Sequence, residues 1–218
     1  SHSSAIARFE ALLADTTGEG VRVDFVDAAL GTLDLTDPHF KNCDFSGSDL
    51  SRASLEGATF VGCKAYQTKF KYTHLDETRF ENCNLALSDW EGARFAETCF
   101  VGCKLTGANF NRAHVLGLEF ETCVLVNAVL KNISFAKAKL FQIDFADADL
   151  GGSDFRDAEF TECSLRGASL RQANFKGADL RGCDLGRLSL QDTVVLKGAT
   201  VSRHQATDLL RSLCIIVA

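Results

Sequence analysis

The sequence has 218 residues, is 46% hydrophobic and carries a formal net charge of −6. This length suits one domain or two small ones, and the acidic balance disfavours a protein that holds nucleic acid in a basic groove. No stretch approaches about eighteen unbroken apolar residues and no charged-then-apolar leader is recognisable, so we expect a cytoplasmic protein.

The first predicted element is a short helix. The opening Ser-His-Ser-Ser has the character of a cloning remnant and is left out of the fold prediction. After it, Ile6, Phe9 and Leu13 fall on one helical stripe within residues 4–14. We therefore predict that residues 1–20 hold the remnant and a helix that caps the first coil of the domain that follows.

Residues 21–200 follow a five-residue repeat. From Phe25 to Val195, nearly every position divisible by five is Phe or Leu, and 15 of the 17 Phe residues lie in this register. Two residues earlier the side chain is small, and the residue between the two is often Asp, Asn or Ser. Residues two apart on an extended segment point to the same side, so each unit predicts a short extended side followed by a corner. One unit cannot bury its apolar face alone, so the chain is predicted to wind around a continuous core.

A column of cysteines indicates how many units make a turn. Seven cysteines lie in it at a spacing of twenty residues, interrupted only by Ile143: Cys43, Cys63, Cys83, Cys103, Cys123, Cys163 and Cys183. Twenty residues are four units, which predicts an all-β solenoid with a square cross-section and about nine coils, stacked about 4.8 Å apart. A line of single thiols does not converge as zinc ligands do, and we interpret the column as small buried core residues rather than as metal, redox or disulfide chemistry. We expect no cofactor, no metal site and no enzymatic activity.

Acidic residues are concentrated between 144 and 162, where Arg156 is the only base. One hypothesis is that they dock on a cationic partner surface. The alternative is that Asp suits the place before the central Leu or Phe, where it bonds backbone at the corner; Asp144, Asp149 and Asp154 occupy that place. The acids at the last place of a unit have more freedom to be functional. The predicted partner-binding residues are Asp144, Asp147, Asp149, Asp154, Asp157, Glu159 and Glu162.

Residues 201–218 predict a helix followed by an apolar tail. Ser202 and Gln205 have the spacing of a capping box, which marks the helix start. Apolar residues then recur on one face and continue into the tail, which favours a two-fold dimer built from two such ends. The alternative is a monomer in which the helix only covers the last coil. The predicted dimer interface is Ala206, Leu209, Leu210, Leu213, Ile215, Ile216 and Val217.

The repeated unit resembles that of the pentapeptide-repeat family over about residues 25–200. This resemblance implies a right-handed quadrilateral β-helix. The ending HQATDLLRSLCIIVA resembles the C-terminal module of the Qnr and MfpA group within that family. That second resemblance implies a tail-to-tail homodimer that mimics DNA, and binds DNA gyrase and often topoisomerase IV. It also implies resistance to fluoroquinolones or to a natural gyrase poison, or inhibition by competition with DNA. The alternative function is a non-enzymatic repeat scaffold that binds another protein.

Overall fold

The structure is a computed structural model that describes residues 25–31, 37–212 and 214–215. The chain forms two compact units, Ser1–Glu119 and Phe120–Ala218. The predicted N-terminal capping helix lies outside the described residues.

Short parallel strands form one side of the N-terminal unit. They are β1 (His39–Lys41), β2 (Thr59–Val61), β3 (Arg79–Glu81) and β5 (Cys99–Val101). Each strand pairs in register with the one twenty residues later, so that Phe40, Phe60, Phe80 and Phe100 follow one another. On another side, β4 (Arg94–Ala96) pairs with β6 (His114–Leu116) at the same spacing. One turn of the chain therefore takes twenty residues, as the cysteine spacing predicts.

The C-terminal unit repeats this arrangement. Its strands are β7 (Glu119–Glu121), which begins at the boundary, β8 (Lys139–Phe141), β9 (Glu159–Ser164) and β10 (Asp179–Asp184). The three remaining sides of the coil that contains β9 are joined to the next coil by single bridges at five-residue steps. These bridges are Asp144 with Ser164, Asp149 with Ser169, and Asp154 with Asn174. Five residues carry the chain to the next side, so the predicted four-sided solenoid is confirmed.

Aromatic rings stack along the inside of both units. In the N-terminal unit, the ring of Trp90 lies parallel to that of Phe70, with their centroids 4.0 Å apart. In the C-terminal unit, Phe155 stacks between Phe135 at 5.0 Å and Phe175 at 4.7 Å. Every Phe in the predicted register is buried. Burying one such ring contributes on the order of 2–3 kcal/mol, so the stacked rings are a main source of stability.

The last residue of each five-residue repeat forms a corner of the coil. It adopts a left-handed backbone conformation, with φ of 56° at Asp147 and 78° at Gly177. Gly, Asn and Asp accept this conformation at the lowest cost, which explains why they are common at this place.

Over the described residues the repeat makes about seven turns, fewer than the nine that the sequence predicts for residues 21–200. The regular five-residue pattern, expected to continue through Val195, ends where α1 (Leu190–Thr193) begins, and a 3₁₀ turn covers Val194–Leu196. A capping box begins α1: the Ser189 hydroxyl accepts from the N–H of Asp192, and the Asp192 carboxylate accepts from the N–H of Ser189. Local hydrogen bonding therefore overrides the apolar register at this point.

The chain then returns to the last coil. Thr200 bridges to Asp179 of β10. The second helix, α2 (Arg203–Ser212), follows, and the helix predicted near the C-terminus is confirmed.

Candidate partner-binding surface

The seven acidic residues predicted to bind a partner form a ring around one coil. Four of them lie five residues apart, one on each side of the square, and three lie at corners. A partner that docks against one side reaches only part of such a ring. The acidic run in the sequence is therefore spread around the coil and does not form one acidic face. On the sides lie Asp144, Asp149, Asp154 and Glu159; at the corners lie Asp147, Asp157 and Glu162.

Three of the side residues have structural roles. Asp144, Asp149 and Asp154 each accept a hydrogen bond from the backbone N–H two residues later, at 3.0, 3.2 and 3.1 Å. Asp149 also pairs with the ammonium of Lys131 at 2.9 Å, and Asp154 pairs with the guanidinium of Arg156 at 2.6 Å. The hydrogen bonds from Arg156 lower the pKa of Asp154. These contacts agree with the alternative in which Asp at this place stabilises the corner.

The corner acids also contact the fold, although the sequence suggests that they are free. The Asp147 carboxylate lies over Gly167 and that of Asp157 over Gly177, so close that a Cβ at either glycine would overlap the carboxylate oxygen. Glu162 accepts a hydrogen bond from the side-chain amide of Gln142 at 2.7 Å. A signal for the first contact exists in the sequence, because Asp or Asn recurs twenty residues before many corner glycines.

One side of the C-terminal unit carries four exposed carboxylates. We name it the acidic side and define it as Glu121, Asp157, Glu159 and Glu162, all of which are exposed. Among the residues that the structure describes, none of the four forms an ion pair. Two lysines lie one coil before Asp157 and Glu159. Four carboxylates outnumber these two ammonium groups, so the acidic side retains an excess of negative charge. These lysines are Lys137 and Lys139.

The C-terminal helix is anchored to the last coil by Gln205. The side-chain oxygen of Gln205 accepts from the N–H of Ser202 at 2.6 Å, and the Ser202 hydroxyl accepts from the N–H of Gln205 at 3.2 Å, which completes the predicted capping box. The side-chain nitrogen donates to the carbonyl oxygens of Leu180 and Cys183 at 2.7 and 2.6 Å. One amide thus provides hydrogen-bond partners both for the N–H at the start of α2 and for two carbonyl oxygens at the open edge of β10.

The predicted dimer interface is partly described. Ala206 and Leu209 are half-buried, and Leu210 and Ile215 are exposed. An apolar strip therefore remains uncovered along α2 and the residues after it. The other three predicted interface residues, Leu213, Ile216 and Val217, lie outside the described part of the chain.

The cysteine column is buried in both units. The thiols of Cys63, Cys83 and Cys103 donate to carbonyl oxygens of the preceding coil at 3.4–3.5 Å, so each thiol occupies the same place in successive coils. Burial raises the pKa of the Cys163 and Cys183 thiols.

Over residues 25–31, 37–212 and 214–215, no group of three or more His, Cys, Asp or Glu side chains is arranged to hold a metal ion. No helix in this part of the chain is long and apolar enough to cross a membrane.

Comparisons with known proteins agree with this geometry. A model of the pentapeptide repeat region matches residues 33–110, 94–175 and 118–195. A trypsin-treated variant of QnrB1, described as a plasmid-mediated fluoroquinolone resistance protein, is similar in structure, with a TM-score of 0.75 and 25% identity over 92% of this chain and 100% of that chain. Full-length QnrB1 gives a TM-score of 0.59 and 24% identity over 89% of this chain and 97% of its own. HetL, a pentapeptide repeat protein involved in heterocyst differentiation regulation in the cyanobacterium Nostoc, gives a TM-score of 0.44 and 21% identity over 90% of this chain and 95% of that chain. No curated protein sequence matches significantly. The chain belongs to the pentapeptide repeat family.

Proposed function

We propose that this protein binds DNA gyrase, and also topoisomerase IV, as a DNA mimic in the cytoplasm, and confers resistance to fluoroquinolones or to a natural gyrase poison. The observation that carries the proposal is the likeness to QnrB1, which extends over 92% of this chain at 25% identity. The protein acts by binding, without catalysing a reaction.

The acidic side supports the electrostatic part of this proposal. Its exposed carboxylates lie on β7, on β9 and at the corner that precedes β9. Exposed carboxylates attract a lysine- and arginine-lined DNA channel as phosphates do, and they steer the approach of such a surface. The ring acids on the other sides are engaged by neighbours, as at Asp149 and Asp154. We therefore assign partner binding to the acidic side rather than to the whole ring.

A homodimer through the C-terminus completes the proposal. Leu210 and Ile215, near the end of the chain, are 39% and 48% exposed. A two-fold contact lets the same strip on two copies cover itself. Light scattering at micromolar protein should report a dimer, and a chain that stops before Ser202 should be a monomer without activity. An active monomeric truncation would separate dimerisation from function.

The decisive experiment is a supercoiling assay with purified gyrase, with and without ciprofloxacin. The protein should inhibit supercoiling or protect it from the drug in a concentration-dependent manner. The variant Asp157→Asn with Glu159→Gln removes two charges from the acidic side and should weaken the effect about tenfold at low salt. The matched control, Asp149→Asn with Asp154→Asn, removes two charges elsewhere, keeps the backbone acceptors and should stay within about twofold of the original. No inhibition and no protection across a wide titration would end the gyrase proposal.

A mixed-charge surface on the N-terminal unit favours a second candidate function, a scaffold for another protein. There the ammonium of Lys71 lies 3.0 Å from Asp89 and 2.9 Å from Glu91, and Lys69 faces Asp49 at 3.9 Å. Alternating rows of cations and anions do not resemble the uniform charge of a phosphate backbone. A monomer in light scattering, together with no effect on gyrase, would favour the scaffold.

A further inference from the structure

Phe141 differs from every other described phenylalanine. The phenylalanines of the repeat register are at most 8% exposed, whereas Phe141 is 38% exposed. It occupies an outward place on β8, and in the described residues its ring stacks on no other aromatic ring. The solenoid core is complete without it, because Leu140 supplies the inward side chain at this point. The fold therefore gives no reason for a large apolar ring at this place.

Phe141 lies next to residues of the acidic side. Its strand partners are Glu121 in the preceding coil and Thr161 in the following coil, each about 4.8 Å away across the sheet. Its chain neighbour Gln142 holds Glu162 at the adjacent corner. Lys139, two residues earlier on the same strand, lies opposite Glu159 of the next coil in the strand register. The ring thus lies beside the exposed Glu121, one coil from it, and near the corner of Glu162.

A second exposed apolar side chain lies on the adjoining side of the coil. Val124 is 39% exposed on the adjoining side of the unit and bridges to Asp144. Two exposed apolar side chains next to a corner, with an acidic rim on one side, have the composition of a small protein-binding site, in which an aromatic anchor lies inside a polar border. Charge complementarity indicates a cationic partner surface.

We infer that Phe141 is the anchor residue of the acidic side and inserts into an apolar recess within a lysine- and arginine-rich protein surface. The inference rests on the proposed function, in which that surface is the DNA-binding channel of gyrase. DNA presents phosphates but no projecting aromatic side chain at its outer edge. Carboxylates alone attract any DNA-binding protein, so Phe141 supplies the selectivity that charge mimicry lacks.

Carboxylates and anchor should differ in their kinetic effects. Exposed charges mainly raise the association rate, and salt screens them. An aromatic side chain that becomes buried at an interface mainly slows dissociation and depends little on salt. The substitution Phe141→Ser should therefore raise the dissociation rate about tenfold or more at both low and high salt, with little change in the association rate.

The test measures binding of the full chain to immobilised gyrase by surface plasmon resonance at low and high salt. The matched control is Leu116→Ser, because Leu116 is an apolar side chain 75% exposed on the N-terminal unit. The control should bind as the original protein does, and Phe141→Leu should retain part of the affinity. If the original protein binds and Phe141→Ser binds equally well, the inference is wrong while the proposed function stands. If the original protein does not bind, both fail. A clear loss of thermal stability in Phe141→Ser would assign the ring to the fold and would also overturn the inference.

Discussion

The side-chain nitrogen of Gln205 lies 2.7 Å from the carbonyl oxygen of Leu180, so that a helix residue terminates the last strand of the solenoid. The same nitrogen reaches the Cys183 carbonyl oxygen, and the side-chain oxygen binds the N–H of Ser202. An open strand edge invites pairing with other chains, and here one amide satisfies two of its carbonyls. The proposed dimer surface on α2 depends on this anchor.

We predict that Gln205→Glu detaches α2 from the last coil. The carboxylate keeps an acceptor for Ser202, but its second oxygen faces the carbonyl oxygens of Leu180 and Cys183 and cannot donate to them when ionised. Losing hydrogen bonds of this kind costs about 1 kcal/mol each, so the helix should open more easily by roughly 2 kcal/mol. Hydrogen exchange of residues 203–212 measures the effect. The exposed neighbour substitution His204→Ala is the control, and equal protection in both variants would show that Gln205 is no anchor.

The acidic corner at Asp157 depends on a glycine in the next coil. We predict that Gly177→Ala destabilises the C-terminal unit by about 2 kcal/mol, because alanine strains the φ of 78° and its Cβ overlaps the Asp157 carboxylate. In an Asp157→Ala background the overlap disappears and only the backbone strain remains, so the cost should fall to about 1 kcal/mol. Urea unfolding of the four proteins forms a double-mutant cycle. Additive effects would contradict contact between the two positions.

The repeat itself could be predicted from the sequence because its periods of five and twenty are visible in single residue types. Phe60, Phe80 and Phe100 stack as their spacing predicts, with centroids 4.7 and 4.8 Å apart. The end of the solenoid was harder to predict. Val195 continues the apolar register, but the capping box of Ser189 and Asp192 begins a helix first. Local hydrogen bonds and the five-residue pattern compete there. The pattern of apolar residues shows the repeat but does not show the hydrogen bonds that end it.

The candidate site could be predicted only in part, because a side of the square collects residues that are far apart in sequence. Asp157 and Glu159 are close in the chain and share a side, but Glu121 reaches the same side from an earlier coil. Asp149 is likewise neutralised by Lys131, whose ammonium lies 2.9 Å away although it comes eighteen residues earlier. A charge count along the chain records these residues as acidic without showing which of them remain available.

Removing one ring from the stack should weaken the solenoid far more than removing the exposed ring. Phe155 is fully buried between Phe135 and Phe175. We predict that Phe155→Ala lowers the free energy of unfolding by about 3–5 kcal/mol, because it removes apolar contacts and leaves a cavity. Phe141→Ala should change it by less than about 1 kcal/mol, since Phe141 lies outside the core. Denaturant unfolding compares the two variants, and similar losses would mean that Phe141 is a core residue.

The buried thiols should make the protein less stable in alkali. Burial raises the pKa of Cys163 and Cys183 above the ordinary value of 9.0. In the unfolded chain these thiols ionise at that ordinary value, so above it the unfolded state binds fewer protons than the folded state. Their contribution to stability is therefore complete below about pH 9 and is lost as the pH rises, by at most about 1.4 kcal/mol per pH unit for each thiol.

Urea unfolding at pH 7.5 and pH 10 measures this loss. The variant Cys163→Ala with Cys183→Ala is the matched comparison, since it removes two of the thiols and leaves the other titrating groups unchanged. It should start less stable at pH 7.5 because it loses packing, yet fall less steeply with pH than the original protein. The half-buried Cys99 and the exposed Cys214 should react first with a thiol reagent in the folded protein. Equal pH slopes in the two proteins, or fast labelling of the column, would mean that the thiols are accessible to water and that the core is less tightly closed than the structure indicates.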